Sequence, residues 1–333
     1  MELILLPAFV ISFLITLIVL PIWIKKAKFM GFLWEDMNKF KHPKNVASSG
    51  GIVVVLSFVL GVLYYIAVKT FFIGTLNNEI VEIFALLTVI LIFIIIGFID
   101  DLWGWKDGGL SKKWRLILAF FASIPLVVIN VGTSTMNLPI LGTINFGILY
   151  PLLLVPIGIA GAATTYNFLA GFNGLEASQG IIILSFLSFV AYKTESSWLA
   201  LVGMIMVFSL IAFYMFNKYP AKVFPGDSMT WSIGGLIAIM AILGNFEKIA
   251  VFVFIPYIIE TTLKLRGNLE KHSFAKPNKD NSLEMPYKKI YGLEHLAILI
   301  LKKIKKKVYE KEVVYLINGF QIIVIILAFF IFM

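Results

Sequence analysis

Cysteine is absent from this 333-residue chain, which excludes disulfides, thiolate metal sites and cysteine nucleophiles at once. Histidine is nearly absent: His42, His272 and His295 are too few and too scattered for a zinc cluster. Charge is scarce too. Asp, Glu, Lys and Arg make up 14% of the residues, and 60% are hydrophobic, against about 25% and 45–50% in a soluble domain. In place of a wettable surface the chain has recurring apolar runs, each about the 20 residues a helix needs to cross a bilayer.

Ten such runs are readable: 2–23, 50–68, 80–99, 114–131, 145–166, 178–193, 198–217, 229–244, 248–265 and 313–333. They predict an all-α polytopic membrane protein with about ten transmembrane helices, folded as a single domain over 1–333. The runs at 114–131 and 178–193 are short or interrupted. No basic residue precedes the first run, and Lys25, Lys26 and Lys28 follow it. That pattern predicts a retained anchor with its N-terminus outside; ten spans return the C-terminus to the same side.

The net charge of +9 would suit nucleic acid, but its distribution has a topological cause. With ten spans the connections alternate sides. Only Lys69, Lys193 and Lys248 fall on one side, and the other 25 of 28 basic residues lie in the odd-numbered connections. This positive-inside bias places those connections in the cytoplasm and removes nucleic acid as an expected partner. The ninth, a long loop over 266–312, contains the stretch 295–307, where Leu296, Leu299, Ile300 and Ile304 alternate with lysines. It reads as an amphipathic helix lying on anionic membrane lipid.

Four polar islands share the cytoplasmic face. Asp100 and Asp101 end the third span, at the pole where a helix dipole disfavours carboxylates, and so call for a counter-ion or a metal. The fifth connection reads Asn167-Phe168-Leu169-Ala170-Gly171-Phe172-Asn173-Gly174-Leu175-Glu176, with two carboxamides, two glycines and a carboxylate that crossing a bilayer does not require. Asp227 follows Pro225-Gly226, where it suits either a site or a plain helix N-cap, and spacing does not choose between them. His272 sits in the basic loop Lys271 to Lys276. Lys112, Lys113 and Arg115 lie within reach of anything the Asp pair holds. Glu260, inside the ninth span, suits either a functional carboxylate or one that only reaches out to Lys264, and the sequence assigns it neither role. Carboxylates and amides of this kind suit Mg²⁺, with Mn²⁺ as a substitute, and neighbouring cations suit phosphate. A membrane-boundary site so equipped favours joining a water-soluble phosphorylated donor to a lipid-held acceptor.

Taken in order, Asn38-Lys39 to Gly50-Gly51, the Asp pair, the Asn-rich loop, Phe224-Pro225-Gly226-Asp227-Ser228 and the His272 loop resemble the polyprenyl-phosphate N-acetylhexosamine-1-phosphate transferases, glycosyltransferase family 4. The loop Ala170 to Glu176 is similar to the dolichol branch, whose members act on UDP-N-acetylglucosamine in the first lipid-linked step of N-glycan assembly. The resemblance implies a cytoplasmic active site in which Asn167 and Asp227 hold Mg²⁺. It implies that Gly171 and Asn173 meet the uridine, with Glu176 in the same substrate loop, and that Asp100 and Asp101 position or deprotonate the acceptor phosphate with support from Lys112 or Lys113. Lys271, His272 and Lys276 would meet the pyrophosphate and sugar. It further implies a nucleotide-sugar donor, a dolichyl or other polyprenyl phosphate acceptor, and a homodimer. The residue usage suits an archaeal thermophile, which would place the protein in the plasma membrane. The chain departs from the family pattern at Gly104, Thr164 and Lys271-His272-Ser273. Competing readings are the same reaction with another UDP-N-acetylhexosamine for cell-wall or surface polysaccharide, a membrane prenyltransferase, and a secondary transporter.

Overall fold

A computed structural model describes residues 5–74, 79–106, 108–138 and 142–333, so residues 2–4 of the first expected span lie outside it. Among the described residues, thirteen helices carry the fold. The first three are α1 (Pro7–Met30), α2 (Gly51–Val68, continued by a π-helical turn to Ile73) and α3 (Glu79–Lys106). The short α4 (Lys112–Ala122) and α5 (Ile124–Val128) are one expected span broken in two, because Pro125 cannot donate to the preceding turn. A π-helical turn at Tyr150–Leu154 leads into α6 (Val155–Tyr166). Then come α7 (Leu175–Lys193), α8 (Ser197–Asn217) and α9 (Asp227–Leu243). Pro256 breaks the next run into α10 (Glu247–Val253) and α11 (Ile255–Arg266), and α12 (Leu293–Ile304) and α13 (Glu310–Phe332) complete the set.

Six of these helices are long and apolar enough to cross a membrane: α1, α2 with its π turn, α3, α7, α8 and α13. The chain is therefore an integral membrane protein. The helix through Tyr150–Tyr166 and α9 are apolar but shorter. Three two-stranded antiparallel hairpins interrupt the expected all-helical pattern: β1 (Leu33–Glu35) with β2 (Lys44–Ala47), β3 (Thr135–Leu138) with β4 (Gly142–Asn145), and β5 (Lys276–Pro277) with β6 (Leu283–Glu284). At two to four residues each, they are too short to leave a readable alternation.

Helix α9 is the axis of the bundle. Nearly every residue from Ser228 to Ile242 is buried, and α2, α3, α6, α7, α8 and α10 pack around it. Small and polar side chains join the surrounding helices, as expected where lipid removes the hydrophobic drive for helix association. Thr16 of α1 and Ser209 of α8 share a hydrogen bond of 2.7 Å, and the Ser209 hydroxyl donates to the Val54 carbonyl of α2 at 2.8 Å.

Helix α12 keeps its apolar side, Leu293, Ala297 and Ile298, inside the protein. Several lysines of this region also have protein partners: Lys302 pairs with Glu284, Lys305 with Glu312 and Lys307 with Asp280. Ile300 and Ile304 are left exposed.

Candidate active site

The polar islands converge at one end of α9. Gly97 of α3 makes the convergence possible: a Cβ there would lie 2.5–2.6 Å from the backbone of Asp227 and Ser228, so only glycine lets α3 run against the first turn of α9. Four residues on, Asp101 turns toward that turn. One of its oxygens accepts the Asp227 N–H at 2.8 Å, and the other accepts the Ser228 hydroxyl at 3.3 Å. The carboxylate sits at the wrong pole of its own helix but at the favourable pole of another. Asp227 is the first residue of α9 and its side chain makes no cap bond. The plain N-cap reading of Asp227 is thus replaced by a cap supplied from α3.

Asp100 is buried and finds its partners elsewhere. Its Oδ1 accepts the Leu110 N–H at 2.5 Å, and its Oδ2 lies 2.8 Å from Arg115 Nε. The second contact is an ion pair without hydrogen-bond alignment, since neither atom has a hydrogen-bond partner. Arg115 Nη1 also lies 3.7 Å from Asp227 Oδ2. One guanidinium therefore faces two carboxylates, a role its fork shape allows and a single ammonium would not. Arg115 was within reach of the Asp pair on sequence grounds, but nothing in a one-dimensional pattern separates it from Lys112 and Lys113. The structure does: those two are exposed at the start of α4.

Asn167 caps the C-terminus of α6, and its Nδ2 donates to Asp227 Oδ1 at 3.1 Å while its Oδ1 accepts the Thr230 hydroxyl at 3.1 Å. Asn167 and Asp227, expected as a pair, are in direct contact. They fit Mg²⁺ in chemistry: turning the carboxamide over would place a second hard oxygen beside a carboxylate whose Oδ2 lies 3.7 Å from Arg115 Nη1. Among the described residues no group of three or more His, Asp or Glu side chains forms a metal cage. A cation held by one or two carboxylates plus substrate phosphate needs none.

The Asn-rich loop folds around Gly171, whose φ of +99° and close approach to the Phe274 ring both require glycine. Its N–H donates to Glu176 Oε1 at 2.8 Å. Asn38 staples this loop to the ninth connection, donating to the Gly171 carbonyl at 2.8 Å and accepting the Ala275 N–H at 3.0 Å. Asn173, expected against uridine, is buried instead. Its Oδ1 accepts the Ala221 N–H at 2.7 Å, and its Nδ2 has only a 3.5 Å contact with Asp36. Its N–H donates at 2.7 Å to Glu310 of α13, which also pairs with Lys39 of the first connection. The carboxamide follows the backbone of a tight turn into the protein, so in this structure it supports the loop from behind. The first connection is tied to the segment before α9 as well: the Gly50 and Gly51 N–H groups donate to the carbonyls of Phe224 and Pro225, both at 2.9 Å.

Two adjoining cavities result. The smaller, about 360 Å³, is lined by Asp100, Asp101, Arg115, Asn167, Gly171, Glu176 and Asp227. The larger, about 900 Å³, is lined by Lys112, Lys113, Thr164, Trp231, Lys271 and His272 among others. Arg115, Asn167, Gly171 and Phe274 belong to both walls. Lys276 lies exposed on β5 and lines neither.

A family model described as "Glycosyl transferase family 4" matches residues 83–245. A Saccharolobus solfataricus protein provisionally named UDP-N-acetylglucosamine–dolichyl-phosphate N-acetylglucosaminephosphotransferase is 34% identical over 320 residues, covering 96% of this chain and 94% of the relative. A Dictyostelium discoideum protein of that name, without the qualification, is 31% identical over 264 residues, 67% of this chain and 62% of the relative. A phospho-N-acetylmuramoyl-pentapeptide-transferase of Halalkalibacterium halodurans is 30% identical over 272 residues, 78% of this chain and 81% of the relative.

Proposed function

The chain belongs to glycosyl transferase family 4, and from that premise we propose that it transfers N-acetylglucosamine 1-phosphate from UDP-N-acetylglucosamine to dolichyl phosphate, releasing UMP. The observation that carries the reading is that Arg115 and Asn167, which contact Asp100 and Asp227, stand in the walls of both a smaller cavity holding the carboxylates and a larger, more apolar one. Such a wall suits the meeting of a water-soluble nucleotide sugar with a lipid-linked phosphate.

In this reading an oxygen of the acceptor phosphate attacks the β-phosphorus of the UDP-sugar. The bond to the α-phosphate oxygen breaks, UMP leaves, and dolichyl-diphospho-N-acetylglucosamine remains. Gly171 and Glu176 shape the uridine end of the smaller cavity, and Asn173 fixes their loop. Lys112 and Lys113 meet the acceptor phosphate in the larger cavity; Lys271 and His272 meet the pyrophosphate and sugar. Mg²⁺, or Mn²⁺ in its place, would be held by Asn167 and Asp227 and would neutralise charge on the diphosphate. Asp100 acts through charge and placement. Its oxygens are already engaged by Leu110 and Arg115, and a phosphomonoester with a second pKa near 6 is mostly dianionic at neutral pH without help. Phosphoryl transfer depends mainly on such positioning and electrostatics. The positive-inside count supports ten spans with both termini outside and the site facing the cytoplasm, in the plasma membrane of an archaeon. The apolar flanks of α1 and α13 suit lipid or a second copy of the chain.

Detergent-purified protein given dolichyl phosphate, Mg²⁺ and a panel of UDP-sugars should release UMP with UDP-N-acetylglucosamine and lose that activity on EDTA treatment or without lipid. UMP from another UDP-sugar alone would keep the mechanism and replace the donor; no UMP from folded protein would overturn the reading. A second expectation concerns geometry. Gly97→Ala should displace the start of α9 and lower turnover about a hundredfold, the scale of an ångström-sized misplacement. Turnover within threefold of the parent would show that the Asp101 cap is not needed for catalysis.

A further inference from the structure

A second group of ionisable side chains lies buried beside the larger cavity, with Lys264 forming part of its lining. Glu260 and Lys264, one turn apart on α11, and Glu294 and His295, at the start of α12, are all nearly inaccessible to solvent. Glu260 Oε2 accepts the Leu293 N–H at 2.6 Å and so caps α12, whose N-cap residue, Gly292, has no side chain to do it. Its other oxygen is 3.5 Å from Lys264 Nζ. A Cβ on Gly292 would lie 2.6 Å from a Glu294 oxygen and 3.1 Å from a Glu260 oxygen, so both carboxyl groups crowd against the same small residue. Neither Glu294 oxygen has a hydrogen-bond partner among the described residues.

Two carboxyls and one ammonium cannot all be charged in such a place without leaving an unpaired buried charge, which is strongly unfavourable. One carboxyl therefore keeps its proton. Burial and the neighbouring Glu260 push Glu294 upward. His295 is held down to about 4 by burial and then by Lys264, so it stays neutral near pH 7.

The group is connected to the cavity by two routes. Lys264 Nζ bonds the Ser273 hydroxyl and approaches the Lys271 carbonyl at 3.5 Å. Tyr287 packs edge-on against His295 at 5.6 Å, accepts the His272 N–H at 3.3 Å and lies under the Lys271 ammonium at 5.4 Å. Lys271, His272 and Ser273 all line the larger cavity.

We propose that Glu260, Lys264 and Glu294 are positioning residues: a charge-balanced cluster that holds loop 271–274 in shape for the diphosphate and sugar of the donor. The inference rests on the donor site proposed above. It predicts that Glu294→Gln, which copies the protonated form, keeps KM for UDP-N-acetylglucosamine within about twofold. Glu294→Ala should raise that KM about tenfold while kcat stays within about threefold, the split expected when substrate binding is loosened and the reacting groups are untouched. Lys264→Met should raise KM likewise, and adding Glu260→Gln to it should recover part of the loss by removing the unpaired charge.

The test is steady-state kinetics of the full-length protein with UDP-N-acetylglucosamine, together with hydrogen–deuterium exchange over residues 269–275. Faster exchange at 269–275 in Glu294→Ala, with slow exchange retained in Glu294→Gln, supports the inference even without turnover. Unchanged KM and unchanged exchange in Glu294→Ala overturn it while wild-type UMP release stands. A proportional fall of kcat in both Glu294 variants also overturns it, because the cluster would then act on the reaction itself. Should Glu294→Ala fail to fold, Lys264→Met and its Glu260→Gln partner decide by the same two readouts. Absence of UMP from the wild type would instead count against the donor site, with exchange still reporting on the cluster.

Discussion

Asp227→Asn should leave a protein at least as stable as the parent and reduce UMP release about a thousandfold. The two effects have one cause. Asp100, Asp101 and Asp227 bring three carboxylates to one place, with Arg115 as the cation between two of them. Like charges so close destabilise the folded state, and asparagine removes one while keeping the side chain's shape and the N–H that Asp101 accepts. Activity requires the charge that stability does not. Removing one preorganised electrostatic group at a reacting centre typically costs about a hundred- to a thousandfold in turnover, and here the proposed Mg²⁺ contact is lost as well. Thermal melting and UMP release on the same preparation test the point. Retained activity would make Asp227 only the first residue of a helix; a lower melting temperature would mean that its carboxylate stabilises the fold.

Arg115→Met should lose about a hundredfold in turnover and, unlike Asp227→Asn, also lose stability. It leaves Asp100 and Asp227 without a counter-ion. Breaking a fully buried pair costs about 3–5 kcal/mol, but Arg115 is one-third exposed, so about 1–3 kcal/mol is expected once solvent screening is allowed for. Arg115→Lys should fall between, since a point charge cannot reach both carboxylates as the guanidinium does. Adding Asp100→Asn to Arg115→Met should restore stability without restoring turnover. If the double variant regained activity, the arginine would be a structural counter-ion and nothing more.

These outcomes depend on contacts that the sequence showed unevenly. The apolar runs were plain because twenty residues without charge have one common explanation in water and lipid. The breaks at Pro125 and Pro256 follow from a rule of the backbone, yet each run read as one span because its composition did not change across the proline. Asp100, Asp101, Asn167, Gly171, Glu176 and Asp227 stood out as polar groups that spanning does not require, and the structure gathers them on one cavity wall. What each does there was not legible. That Asp101 caps α9 depends on Gly97 letting two helices touch. That Arg115 rather than Lys112 or Lys113 bridges the carboxylates depends on where α4 points. Asn173 read as a ligand group because amides in loops so often are, but its burial is set by Ala221, Asp36 and Glu310, which lie far away in sequence. Glu260 read either as a functional carboxylate or as one reaching Lys264; the ion pair with Lys264 is there, but the cap it gives α12 was not legible, since its partner backbone at Leu293 belongs to a different helix.

Glu310 has a consequence for the life of the molecule. It stands at the start of α13 and bonds both the Asn173 loop and Lys39, so a helix made after every residue of the site completes a support for segments made much earlier. A nascent chain stalled before residue 310 would already hold the Asp pair, Arg115, Asn167 and Asp227, yet the loop behind the donor would lack its anchor. Competence waits for the synthesis of α13, and a chain stalled before it would sequester little of the cell's nucleotide sugar.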